Sequence, residues 1–284
     1  NGRVELVPIG HWNARFAEGA RVTLHTDLSS HRGTILPLKA SGHTFADEID
    51  KQPSNWQNLE LRIDEVCYSR ADLMRLGVHV GDFISVDPQP EVLENGFIVS
   101  RHLDDKAGAA VLLGAVKAIV DHKAPLPVDC HPLFTISEEV GSGASAVLHG
   151  DVSEMLTLDN GTTAPGQNSS EFGATICMAD MSGPFDYHLT HYLIRLCQEF
   201  QIPYQRDVFR FYRSDSAAAV EAGADLRTAL ATFGIDASHG WERIHWNALE
   251  SLTQLVTVYM QAPPLFLRDQ EDIGPRTGFP MQPA

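Results

Sequence analysis

The chain lacks the features that mark membrane proteins and nucleic-acid-binding proteins. Although 43% of its 284 residues are hydrophobic, no run of them is long enough to cross a bilayer. Basic residues are few: 21 Lys and Arg stand against 37 Asp and Glu, a formal net charge of −16. Such a charge disfavours nucleic acid and anionic lipid and favours solubility or cation binding. We therefore expect a soluble protein with neither a nucleic-acid nor a membrane partner.

Cysteine is also scarce, and no leader segment is visible. The four cysteines lie far apart, without a CxxC pair, at Cys67, Cys130, Cys177 and Cys197. This excludes a disulfide framework and a zinc knuckle and indicates buried thiols in a reducing cytosol. The expected location is therefore cytoplasmic. The sequence begins at Asn1 rather than Met, so this expectation does not exclude a leader segment upstream of Asn1 in the natural protein.

The first third of the chain is rich in predicted β-strands. The length of the whole chain exceeds what one core usually organises, so we expect two units. Short alternating or β-branched runs, separated by turn residues, predict strands at 4–9, 21–26, 32–38, 59–63 and 83–86, with a short helix at 70–76. Residues 1–90 contain no cluster of catalytic residue types. They predict a small β-barrel-like domain or a sandwich.

Strands and helices alternate after Pro88 and Pro90. Strands are predicted at 97–100, 128–136, 155–158, 204–209 and 228–235, and helices at 106–120, 185–200, 214–222 and 247–260. This alternation predicts an α/β domain over 91–284, with a mixed, largely parallel sheet flanked by helices. Active sites on such sheets gather at the carboxyl ends of the strands. The Pro-rich tail after Pro263 is expected to be irregular.

Acidic and imidazole groups follow four of these predicted strands. The segments are Asp104-Asp105, Glu138-Glu139, Asp159-Asn160 and Asp236 to His239. Buried strands seldom end in carboxylates, because an unpaired charge there is costly. A divalent metal removes that cost, and mixed carboxylate and imidazole ligands suit Zn²⁺, Co²⁺ or Mn²⁺. The four segments together therefore favour a metal site.

Each segment taken alone also has a simpler interpretation. Asp104-Asp105 suits a helix N-terminus, where acidic groups complement the helix dipole. Glu138-Glu139 suits a solvated turn, and Asp159-Asn160 suits an Asx turn. His239 and His245 suit polar positions at a helix entry. Only their coincidence at one predicted sheet edge favours the metal site over these interpretations.

Four motifs of the chain resemble the M42 metallo-aminopeptidases of the co-catalytic dinuclear metallopeptidase clan. Leu103-Asp104-Asp105-Lys106-Ala107-Gly108 is similar to the family's bridging-aspartate motif. Ser137-Glu138-Glu139-Val140-Gly141 is similar to its pair of base and ligand glutamates. Asp159 lies where a terminal ligand is expected, and Arg213-Ser214-Asp215-Ser216-Ala217 resembles its Gly-Thr-Asp-Ala helix start. The resemblance covers nearly the whole chain.

The resemblance implies a fold and a set of residue roles. The fold is a phosphorylase/hydrolase-like catalytic domain with residues 1–90 as an inserted domain, and the expected assembly is a homo-oligomer. Two divalent ions (Zn, Co or Mn) are implied, with Asp104 bridging them, Glu139 on one and Asp159 on the other. Glu138 is implied as the general base.

The last ligand is expected to be a histidine just after the strand at 228–235. We prefer His239, because its spacing from Asp215 in the sequence and its position shortly before the last helix match the family. His245 is the alternative. Typical members carry Arg-Tyr-x-His here, whereas this chain has Ser238-His239-Gly240-Trp241. The difference suggests a divergent subgroup.

The family's first metal-binding histidine lies in a His-x-Asp motif upstream of the inserted domain. This sequence begins inside that insert, so we expect the N-terminal part of the catalytic domain to precede it. His25-Thr26-Asp27 has the right pattern. It lies within the β-rich part, however, and we interpret it as unrelated to the metal site.

The sequence thus predicts a cytoplasmic metallo-aminopeptidase that hydrolyses the N-terminal residues of peptides with a dinuclear metal-activated water. One alternative is a deacylase or amidohydrolase of the same clan, acting on small N-acylated amino acids or dipeptides. Such an enzyme would not require a free α-amine. The other alternative is a catalytically inactive homologue, in which the acidic cluster serves folding or assembly.

Overall fold

The computed structural model describes residues 2–266, and the chain packs as two compact units. Among the described residues, unit 1 comprises 2–104 and 237–243, and unit 2 comprises 105–236 and 244–266. The irregular tail predicted after Pro263 lies, beyond residue 266, outside the described residues. Within residues 2–266, no helix is both long and apolar enough to span a bilayer.

Unit 1 is built on a five-stranded antiparallel sheet. Its strands are β1 (Arg3–Val4), β2 (Arg21–His25), β3 (Ser30–Pro37), β4 (Leu59–Ile63) and β5 (Phe83–Val86), in the order β1-β4-β3-β2-β5. Short helices in the connections are α1 (Ala14–Ala17), α2 (Gly42–Phe45), α3 (Glu48–Lys51) and α4 (Arg70–Arg75), with a 3-10 turn at Trp56–Asn58. In the described residues β1 and β5 are the two ends of this order, so closure into a barrel is not confirmed.

Alternate residues of the strands form the core of unit 1. Val22, Leu24, Ile35 and Leu61 are at most 2% exposed and belong to one cluster. They share a face because side chains alternate along a strand. Leu61 lies opposite Ile35 in the β3–β4 pairing, at the middle of the sheet. This alternation is the pattern that predicted the strands.

Unit 2 carries a mixed sheet flanked by helices. The strands β6 (Glu91–Val92) and β7 (Phe97–Ser100), which precede it in the chain, belong to unit 1. The sheet strands are β8 (Glu154–Thr162), β9 (Ala174–Asp180), β10 (Gly183–Pro184), β11 (Tyr204–Val208) and β12 (Arg227–Ile235). The helices are α5 (Leu103–His122), α6 (Tyr187–Glu199), α7 (Asp215–Glu221) and α8 (Trp246–Gln261); the first two residues of α5, Leu103 and Asp104, belong to unit 1.

The sheet order in unit 2 is β10-β9-β12-β8, and β11 also pairs with β9. The pairs β8–β12 and β9–β11 are parallel, whereas β9–β12 and β9–β10 are antiparallel. The predicted α/β class and mixed sheet are confirmed. Parallel pairs do not dominate among the described strands, because β9 and β10, which the sequence reading missed, each contribute an antiparallel pair.

β12 is the central strand of unit 2. It pairs with β8 on one side and β9 on the other. Residues 229–235 are all buried, and Leu230, Phe233 and Ile235 are fully inaccessible. A strand buried on both faces reads as a continuous apolar run, and this run made the strand predictable.

A third sheet has the order β13-β7-β6, where β13 is Glu242–His245. Glu242 and Arg243 belong to unit 1. In β13 the side chains of Glu242 and Ile244 are buried, whereas that of Arg243 is exposed. A carboxylate thus occupies a buried position in this strand.

The buried strand predicted at 128–136 is wrong. These residues form no strand, and Phe134 and Ile136 are 51% and 85% exposed. Pro132 lies in the middle of the run. A proline cannot donate a hydrogen bond to a sheet ladder, so it disfavours the interior of a sheet.

Replacing Leu61 tests the core of unit 1. We expect Leu61→Ala to lower the free energy of unfolding by about 2–5 kcal/mol, since it removes a fully buried side chain and leaves a cavity. The control is Leu28→Ala at a position 94% exposed, which should have little effect. Urea denaturation followed by tryptophan fluorescence measures both variants. Equal midpoints for the two variants would contradict this description of the core.

Candidate metal centre

Asp104 and His239, two of the predicted ligands, lie together in unit 1. Asp104 is the second residue of α5, and His239 lies in the turn between β12 and β13. Nε2 of His239 is 3.2 Å from Oδ2 of Asp104. The hydroxyl of Ser238 donates to the same oxygen at 3.2 Å. Unit 1 therefore holds an imidazole nitrogen and a carboxylate oxygen at close range.

The other ring nitrogen of His239 fixes the position of its proton. Nδ1 lies 2.9 Å from the carbonyl oxygen of His11. Since a carbonyl only accepts, Nδ1 carries the hydrogen and donates it. In the neutral ring, Nε2 then directs a lone pair toward Asp104, and two acceptors so close require a proton or a cation between them. A metal-ligating histidine has this arrangement, with its second N–H donated to a carbonyl, so the pair fits a metal ion.

Asp159, the ligand predicted in unit 2, lies in β8. It is 7% exposed and pairs in register with Thr232 of β12. Its Oδ1 accepts hydrogen bonds from the backbone N (2.6 Å) and side-chain N (3.1 Å) of Asn160. The prediction that Asp159 follows the end of a strand is wrong, because the pairing of β8 with β12 extends as far as Thr162.

Asp105 is a second carboxylate beside Asp159. One carboxylate oxygen of each lies within 4.8 Å of the other. Three residues along α5, a Cβ on Gly108 would stand only 2.3 Å from Oδ1 of Asp105. Residues three apart are neighbours on a helix surface. Gly108 therefore gives the Asp105 carboxylate its space, which explains the glycine at the end of this motif.

Glu138 and Glu139 lie in a 3-10 turn, Glu138–Val140, and not at a strand end as predicted. The turn begins after Ser137 (φ 63°) and ends before Gly141 (φ 86°), both left-handed. Glu138 is half-buried and Glu139 is exposed. The turn replaces a strand end because residues 128–136 do not form a strand.

Asp215 holds both sides of this turn. Its Oδ2 accepts from the hydroxyl of Thr135 and its Oδ1 from the backbone N of Ala144, each at 2.7 Å. A Cβ on Gly143 would lie 2.5 Å from Oδ1 of Asp215, so the close approach requires a glycine. We define residues 135–144 as the glutamate loop. Asp215, which lies in the motif at 213–217, therefore anchors the glutamate loop.

His245 and His25 have other hydrogen-bond partners. His245 is the N-cap of α8, where its Nδ1 accepts from the backbone N of Asn247 at 3.1 Å. Its ring lies 4.7 Å from that of Phe172. His25, at the end of β2, has its Nε2 2.8 Å from the hydroxyl of Ser85.

Sequence reasoning missed Glu242 entirely. This carboxylate is 1% exposed, and its burial raises the pKa of Glu242 to about 7, opposed by hydrogen bonds from backbone N–H groups. The sequence around Glu242 carries no motif that marks it; only the structure shows that Glu242 and Ile244 are buried on either side of the exposed Arg243.

The chain matches the family described as M42 glutamyl aminopeptidase over residues 1–255. The chain belongs to this family. It is therefore a peptidase hydrolase and a metal-dependent aminopeptidase, as the sequence predicted. The deacylase and the inactive homologue are not favoured.

Relatives and solved structures agree with this family. The chain is 37% identical over 264 residues to "Putative aminopeptidase YhfE" of Bacillus subtilis (strain 168), covering 93% of this chain and 76% of the relative. Its fold is similar to that of the TET aminopeptidase from the marine sediment archaeon Thaumarchaeota archaeon SCGC AB-539-E09, with a TM-score of 0.80, 21% identity, and coverage of 92% and 75%. The TET1 peptidase of Pyrococcus horikoshii gives a TM-score of 0.76 at 23% identity, with coverage of 91% and 77%. At these identities the two structures show the fold.

Changing Asp215 tests whether the glutamate loop depends on it. Asp215→Ala leaves the N–H of Ala144 without its acceptor, so we expect about 1–3 kcal/mol of lost stability and reduced peptidase turnover. Asp215→Asn should be milder, because its amide oxygen accepts from Ala144 while its amide N donates to Thr135. Denaturation and steady-state kinetics compare the variants. Alanine and asparagine variants that both retain wild-type stability and turnover would contradict the anchoring role.

Proposed function

We propose that this protein hydrolyses the N-terminal residues of peptides with two divalent metal ions held by Asp104, Glu139, Asp159 and His239. The observation that carries the proposal is the 3.2 Å separation between Nε2 of His239 and Oδ2 of Asp104, with the proton of His239 fixed on Nδ1. A bound cation would satisfy both acceptors.

The donor set is three carboxylates and one imidazole. Such ligands suit Zn²⁺, Co²⁺ or Mn²⁺. In this proposal Asp104 would be the ligand shared by both ions, and Glu139 and Asp159 would each hold one of them. His239 completes the set, and its contact with Asp104 favours it over His245, whose Nδ1 caps α8. When bound, such ions polarise a scissile carbonyl and lower the pKa of a water molecule.

Glu138 is the proposed general base. It takes a proton from the attacking water and passes it to the leaving amine, so the same carboxylate acts first as a base and then as an acid. Its place beside Glu139 in the glutamate loop ties the base to a metal ligand. Asp215, through Thr135 and Ala144, holds the loop that carries both.

Exopeptidase action requires recognition of a free α-amine. The proposed centre is rich in carboxylates, and a carboxylate that remains negative attracts an ammonium group at close range. We therefore propose peptides with a free N-terminus as substrates. A small amide lacking that amine forgoes this attraction, so the deacylase activity does not form part of the proposal.

A cytoplasmic homo-oligomer is the assembly we propose. The TET1 peptidase of Pyrococcus horikoshii assembles into a tetrahedron or a large octahedral shell, and a PhTET1 structure contains a dodecamer. The similarity in fold supports an oligomer here. We also propose residues 1–90 as the inserted domain and 91–284 as part of the catalytic domain.

Glu138→Gln tests the proposed mechanism. The amide keeps the size of the side chain but cannot take a proton, so we expect kcat to fall by about 10²–10⁴-fold. Metal content should stay at the wild-type level, as measured by elemental analysis of the same preparation. The matched variant Glu139→Ala should instead lower metal content. A wild-type kcat in Glu138→Gln would overturn the role of Glu138.

A further inference from the structure

We propose that Glu242 is a positioning residue for the Asp104–His239 pair, which it orders before a metal binds. The inference rests on the proposed function, because it concerns two of the ligands proposed there. It also goes beyond that proposal, since Glu242 is not a ligand in it.

The carboxylate of Glu242 contacts the backbone at both ligands. Its Oε2 accepts from the backbone N of Leu103 at 2.6 Å and of Asp104 at 3.2 Å. Its Oε1 accepts from the backbone N of His239 at 2.8 Å. One buried side chain therefore joins two segments that lie more than a hundred residues apart in the chain, and each segment carries one ligand.

The helix end explains why an acid is needed on one side. Leu103 and Asp104 are the first residues of α5, and the first N–H groups of a helix have no partner within the helix. A carboxylate at this end satisfies them and complements the helix dipole. Glu242 thus acts as the cap of α5 from a distant position.

The turn explains why an acid is needed on the other side. His239 has φ 63°, a left-handed conformation that is rare for residues other than glycine. Three hydrogen bonds hold it there: its N donates to Glu242, its Nδ1 donates to the His11 carbonyl, and its own carbonyl accepts from Nε1 of Trp12 at 2.8 Å. Strained residues persist where the surroundings over-determine them, and they cluster at functional sites.

Only a side chain with two acceptor oxygens meets both demands. Glutamine has the same length but offers one oxygen and one NH₂ group. Whichever way the amide turns, its NH₂ faces an N–H donor, either at the start of α5 or at His239. Glu242→Gln should therefore displace one ligand while it preserves the volume of the side chain.

The test is metal affinity, measured by isothermal titration of Zn²⁺ into metal-free protein. We expect Glu242→Gln to raise the Kd for the metal by about 10–100-fold, the usual effect of losing a partner that orients a ligand. The matched control is Glu60→Gln. Glu60 is a buried carboxylate of the same unit, 5% exposed and paired with Arg3 and Arg62. The Glu60→Gln variant should be less stable than the wild-type protein but should keep its metal affinity.

The outcomes separate this inference from the proposed function. A wild-type Kd in Glu242→Gln, or an equal rise in Kd in Glu60→Gln, overturns the positioning role. Wild-type protein that takes up no Zn²⁺ overturns the proposed function itself. The inference alone fails when the wild-type protein binds Zn²⁺ but Glu242→Gln does not weaken that binding more than Glu60→Gln does.

A second measurement needs no variant. Hydrogen exchange of the metal-free wild-type protein should show slow exchange at the amides of Leu103, Asp104 and His239, because Glu242 already accepts from them. Exchange at the unprotected rate would overturn the claim that this ordering precedes metal binding.

Discussion

The structure around the candidate site depends on the approach of His239 Nε2 to the carboxylate of Asp104 in unit 1. The carbonyl of His11 holds the proton on the opposite ring nitrogen, so an imidazole lone pair and a carboxylate oxygen face each other. Bringing such groups together without a counter-charge is unfavourable, and a divalent cation removes the cost. In the proposed function, this pair supplies two of the metal ligands. Ser238 donates a hydrogen bond to Asp104, and His11 and Trp12 contact His239.

Buried acids elsewhere in the chain hold the proposed catalytic segments. In unit 1, Glu242 accepts from the backbone at Asp104 and His239. In unit 2, Asp215 accepts from Thr135 and Ala144 on either side of the glutamate loop. The carboxylate of each acid supplies hydrogen-bond acceptors that the segment itself does not provide. Loops with little regular structure can thereby present fixed side chains, since a buried, satisfied carboxylate is costly to release.

The sequence predicted regular elements better than the connections that carry the site. β12 and the helices α6, α7 and α8 were readable because apolar residues recur with the period of the element. The strand predicted at 128–136 was wrong because the apolar run was given more weight than Pro132. For the same reason Glu138 and Glu139 were expected at a strand end, whereas they lie in a 3-10 turn. The proposed ligands came from the resemblance of short motifs to those of the family. Glu242 was not identified, because its three hydrogen-bond partners are backbone groups, which leave no mark in the sequence, and two of them lie more than a hundred residues away.

The most direct test of the central claim compares one short peptide with a free N-terminus and the same peptide with an acetylated N-terminus. Mass spectrometry follows the products with metal-loaded protein, and a parallel sample contains a chelator. A metal-dependent aminopeptidase should release residues one at a time from the free peptide and leave the acetylated peptide intact, and the chelator should stop the reaction. Equal cleavage of the two peptides, or cleavage that persists after metal removal, would contradict the claim.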